Sequence, residues 1–88
     1  MNITVSFKAE DFDRLFKLED LLNMWLDLAN LPKIDGAKVK NENIRELYIL
    51  AVPELKVDAC KSVIKDVFSR QKIPMEIVVK ETIQGERF

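Results

Sequence analysis

Apolar and polar residues alternate strictly in the stretch NITVSFK, where Ile3, Val5 and Phe7 fall on one side and Thr4, Ser6 and Lys8 on the other. This period of two predicts a half-buried strand. From Glu10 to Leu31 the spacing lengthens, and Leu15, Leu18, Leu22, Trp25, Leu26 and Ala29 recur three and four residues apart. That predicts a helix, with acidic residues crowding its first turn, where they favour the helix dipole, and Asn30 and Pro32 at its end. The apolar stripe is broad: Leu21, Met24, Leu28 and Leu31 extend it towards a second side. Some of these must pack against a loop, a second helix or a partner.

Beyond Pro32, Asp35-Gly36 predicts a turn, Ala37 to Lys40 a short strand, and Asn41-Glu42-Asn43 a hairpin turn. The next strand, from Ile44 to Val52, is stopped by Pro53 and is apolar on both sides of its pleat. A second amphipathic helix is predicted over Lys56 to Gln71, with Cys60, Val63, Ile64 and Val67 as its stripe, Asp58 near its start and Arg70 and Lys72 near its end. Pro74 opens the last strand, in which Met75, Ile77 and Val79 alternate with Glu76, Val78 and Lys80, and QGERF reads as a short exposed tail.

The order β-α-β-β-α-β carries no internal boundary, low-complexity tract or repeat, so residues 1–88 are expected to form one domain of the α+β class. It suits the ferredoxin-like, split βαβ arrangement: a four-stranded antiparallel sheet with two helices on one face. The other sheet face is then open.

Composition narrows the function classes. Hydrophobic residues make up 48% and charged residues 33%, which fits a folded chain and excludes disordered or fibrous composition. Fourteen basic and fifteen acidic residues leave a net charge of -1, so no bulk attraction to nucleic acid or an anionic membrane is expected. A single cysteine, Cys60, excludes an internal disulfide framework and favours a reducing compartment. With no signal-like start and no apolar run near the roughly 20 residues that span a bilayer, a cytoplasmic location without membrane attachment is expected.

The chain has no histidine, which removes Ser-His and Cys-His catalysis and the commonest metal ligand. Its two glycines, Gly36 and Gly85, stand too far apart for a Walker loop or a dinucleotide fingerprint. Cys60 lies on the apolar stripe of the second helix and reads as core packing. Asp13, Asp20 and Asp27 recur every seven residues along one side of the first helix, but at 1.5 Å rise per residue neighbours stand roughly 10 Å apart and cannot share one ion. They read as a solvated face or, more sharply, as an acidic ridge for a basic partner. No catalytic residue, metal site or cofactor is expected.

Surface remains. If Leu47, Ile49 and Ala51 face the helices, then Tyr48, Leu50 and Val52 stand on the open face, and Val78 joins them to make an apolar strip rimmed by polar residues. The expected function is a small non-enzymatic protein-protein interaction module, an adaptor, regulator or inhibitor, that forms a homodimer or binds another protein through this face. A small-molecule regulatory domain is the alternative, by fold analogy. Nucleic-acid binding comes third, because strand three offers the sheet only Tyr48, without the glycines and further aromatics of an RNA-binding signature.

Overall fold

A computed structural model describes residues 1–8, 12–41 and 43–81, leaving aside the side chains of residues 12–16. The elements are β1 (Asn2–Lys8), α1 (Phe12–Leu28), β2 (Gly36–Asn41), β3 (Ile44–Ile49), α2 (Val57–Arg70) and β4 (Met75–Lys80), with a 3-10 turn at Glu54–Lys56. The fold is α+β. The four strands form one antiparallel sheet in the order β2-β3-β1-β4, so each helical connection leads to a strand two places away. No described helix is long and apolar enough to cross a membrane.

One face of the sheet and both helices share a core. Ile3, Val5 and Phe7 of β1 and Leu47 and Ile49 of β3 meet Leu18, Leu22 and Leu26 of α1 and Cys60, Ile64, Val67 and Phe68 of α2. Phe7 and Phe68 pack edge to face, with centroids 5.0 Å apart, the arrangement aromatic quadrupoles favour. Part of the broad α1 stripe is accounted for here, since Leu21 and Leu31 pack against this core. Met24 and Leu28 stay exposed at 48% and 71%.

Both helices end in the same way. Asn30 and Lys72 adopt left-handed conformations, each with φ 57°. Around them Leu31 N–H reaches Leu26 O (2.9 Å) and Asn30 N–H reaches Asp27 O, while Ile73 N–H reaches Phe68 O (3.0 Å) and Lys72 N–H reaches Ser69 O. These are paired Schellman closures, which satisfy two otherwise orphaned carbonyls and bring an apolar residue beyond the turn towards the last helical turn. The helix end predicted at Asn30 owes its geometry to this cap. Asn tolerates the left-handed region, but lysine there carries a steric cost of about 1–2 kcal/mol. Ala51, with φ 52°, carries the same cost. Ala51→Gly and Lys72→Gly are each expected to raise stability by about 1 kcal/mol, read as a higher urea midpoint at unchanged slope. A loss at either position would contradict the assigned backbone.

The sequence pattern misplaces two features. Asp35-Gly36 is no turn: Gly36 opens β2, and Asp35 N–H donates to Tyr48 O at 2.8 Å. The strand expected to run to Val52 ends at Ile49. Continuing the β1–β3 ladder from Ile3 opposite Ile49 would set Met1 opposite Ala51. Instead Met1 exchanges both backbone hydrogen bonds with Val52, at 2.7 and 2.8 Å. One residue is therefore looped out in the manner of a β-bulge, and the left-handed Ala51 absorbs it. Leu50 N–H is satisfied by Asp35 Oδ2 (2.7 Å) and Ala51 N–H by Asn2 Oδ1 (3.0 Å). Parity flips past the bulge: Val52 is buried at 1% exposure and Ala51 is exposed, the reverse of the expected assignment.

Candidate interaction face

On the sheet face away from the helices, pairing registers place the even-numbered residues of β1 beside those of its neighbours. Two rows cross all four strands. One reads Gly36, Tyr48, Thr4, Val78 and the next reads Lys38, Glu46, Ser6, Glu76, each in the order β2, β3, β1, β4. Lys80 stands beside Asn2 below the first row, and Lys8 beside Ile44 above the second. The face holds a shallow depression of about 350 Å³, with Tyr48, Val78, Glu46 and Glu76 in its lining together with Lys40 and Lys80.

Of the four residues expected to form an apolar strip, the structure brings two together. Tyr48 and Val78 are half-buried and share the first row on either side of Thr4. Leu50 is half-buried beyond the end of β3, and Val52 belongs to the core. The apolar content of the open face is thus a short band across the strands, not a strip along β3. Sequence reading placed Ser6 in the rim of this face but missed Glu46, which stands two residues from Tyr48 on β3 and meets Ser6 by strand pairing. The signal available was its period-two spacing from Tyr48.

Glu46 organises the centre. Tyr48 donates its hydroxyl to Glu46 Oε1 at 3.0 Å, and Ser6 donates to Oε2 at 3.4 Å. Partial burial, then the hydrogen bond to Glu46 and its negative charge, push the Tyr48 phenol above its ordinary value, so Tyr48 is a neutral donor at physiological pH. The ring can supply contact area while its hydroxyl stays engaged.

Elsewhere the described residues offer little chemistry. No group of three histidine, cysteine, aspartate or glutamate side chains among them could hold a metal ion. Cys60 is fully buried, and burial pushes its thiol up despite the nearby positive charge of Lys56, which disfavours the reactive thiolate. Of the expected acidic ridge, Asp20 and Asp27 are exposed on α1 and Asp27 pairs with Lys33 at 3.5 Å; the Asp13 side chain lies outside the described residues. Glu19, beside that ridge, is raised by burial and then by Asp20. A second apolar exposure lies on α1, where Trp25 and Leu28 are exposed and the Arg70 guanidinium stands 5.9 Å from the Trp25 ring centroid. No protein-family model matches the sequence, and no curated protein matches it.

Proposed function

We propose that this chain is a non-enzymatic protein-protein interaction module on a ferredoxin-like scaffold, docking a protein partner on the open sheet face. The scaffold assignment is supported by the β-α-β-β-α-β order together with the strand order β2-β3-β1-β4. The docking role is carried by one observation: the two central strands, β3 and β1, present Tyr48, Glu46, Thr4 and Ser6 on a sheet face that neither helix covers. Tyrosine is among the residues enriched at interface centres, where a few anchors carry most of the binding energy. Binding, not catalysis, suits a chain without histidine and with a buried, disfavoured thiol.

Tyr48→Asp is the test. It puts a carboxylate beside Glu46 on an uncovered face, so the fold should survive while partner affinity falls by about 2 kcal/mol or more, roughly 30-fold. Circular dichroism and urea unfolding check the fold, and affinity capture with quantitative mass spectrometry compares the two baits. An identical set of retained proteins on both would refute the docking face.

The depression itself favours a second reading, a small polar ligand, since its volume of about 350 Å³ lies within the range of ligand sites. A thermal shift with a metabolite, abolished by Glu46→Gln, would move the assignment to that class. Nucleic acid is disfavoured because Glu46 and Glu76 offset the lysines of this face, Lys38, Lys40 and Lys80, and leave little excess of cations for a phosphate backbone.

A further inference from the structure

We propose that the occupant of the open face is a second copy of this chain, packed face to face about a twofold axis that lies along the strands between β1 and β3. The inference rests on the reading of this face as the docking surface and adds the partner and its orientation. Its warrant is the order of residues within the rows. An axis along the strands returns each row upon itself reversed, so β2 meets β4 and β3 meets β1 of the other copy. The row Lys38, Glu46, Ser6, Glu76 then sets Lys38 opposite Glu76 of the second copy, twice over, and places Glu46 opposite Ser6 of the second copy. The row Gly36, Tyr48, Thr4, Val78 sets Tyr48 over Thr4 and Val78 over Gly36.

Both rows are self-complementary in this orientation. Lys38 and Glu76 are exposed and carry opposite charges at the two outer positions of one row, which favours register and on-rate. Val78 lies opposite the glycine, where the absent Cβ leaves room; a Cβ built at Gly36 would meet only Tyr48 Cδ2, at 3.9 Å. In the upper row Lys8 faces Ile44, so no like charges oppose each other. The other aligned arrangement, with the axis across the strands, exchanges the two rows, setting Val78 against Glu76 and Gly36 against Lys38. That loses both Lys38–Glu76 pairs and leaves those charges without a partner across the interface. Aligned sheets keep their strand directions within about 30°, so the two central rows hold register despite sheet twist.

The interface is small. Four strands about 4.8 Å apart and six residues of about 3.3 Å rise present roughly 400 Å², half the roughly 800 Å² per partner of a standard interface. The dimer is therefore weak and concentration-dependent.

Sedimentation equilibrium on the full chain at low salt, from about 10 μM to about 1 mM, tests it together with the charge pair. Wild type is expected to dimerise, Lys38→Glu and Glu76→Lys are each expected to weaken association about tenfold, and the double exchange is expected to restore it. A chain carrying Gly36→Cys and Val78→Cys should form a covalent dimer on mild oxidation, without competition from the buried Cys60. A wild type that stays monomeric overturns self-docking but leaves the open-face reading to the Tyr48→Asp comparison. A dimer indifferent to both charge variants overturns the orientation. A dimer unaffected by Tyr48→Asp and lost in Leu28→Asp, on the exposed side of α1, overturns both.

Discussion

Phe68→Ala is expected to lose about 3–5 kcal/mol of folding stability, since Phe68 is the largest fully buried side chain among the described residues. A domain of this length holds roughly 4–13 kcal/mol in total, so the variant should be close to unfolding at 25 °C. Three contributions meet at this side chain. It is 1% exposed within the shared core, it makes the edge-to-face contact with Phe7, and its carbonyl receives Ile73 N–H in the closure of α2. The truncation removes the first two and weakens the apolar packing that accompanies the third. Phe68→Leu keeps much of the volume and should lose less than half as much. Urea unfolding by circular dichroism measures both, and an alanine cost below about 1 kcal/mol would contradict the packing described.

Aspartate at positions 52 and 78 should separate the two faces of the sheet. Val52 is almost wholly buried, while Val78 is half-buried on the open face. A carboxylate at 52 must either remain charged in the core or take up a proton, and either route costs several kcal/mol at neutral pH. Val52→Asp should therefore be largely unfolded at pH 7. The sign of its pH dependence follows from burial, which raises the folded-state pKa of the new carboxyl above its unfolded value. Stability is then lost as pH rises through that window and is partly recovered towards pH 4. Val78→Asp should cost less than about 1 kcal/mol, because its carboxylate stays hydrated. Comparable losses at the two positions would mean that Val52 does not point into the core.

These two valines also mark the limit of what periodicity can tell. Val78 alternates regularly with Ile77 and Val79, so its place opposite the helix-covered face was legible. Val52 looked equivalent to Tyr48 by simple alternation. What overturned that assignment is non-local: Met1 and Asn2 bind the backbone of Ala51 and Val52 from about fifty residues away, and a pattern read over a short window contains no term for them. The Asp35-Gly36 pair misled for a related reason, since both residues are recruited by β3 across the sheet, overriding a local turn preference. The helix caps lie between these cases. Asn30 announced its turn, while Lys72 is a residue type that avoids the left-handed region and is held there by the packing of Phe68 and Ile73.

The sequence by itself determined the six main elements, the inner residues of β1 and β4, that Leu47 and Ile49 share one face of their strand, and the lack of histidine chemistry. Each follows from local spacing or from residue inventory, which need no knowledge of neighbours. Tertiary structure alone decided where β3 ends, which of its faces is buried, which residues share the open face, and the order of residues within its two rows. Those depend on strand register, and register is set by pairing between segments tens of residues apart, where a shift of one position moves every side chain to the other face.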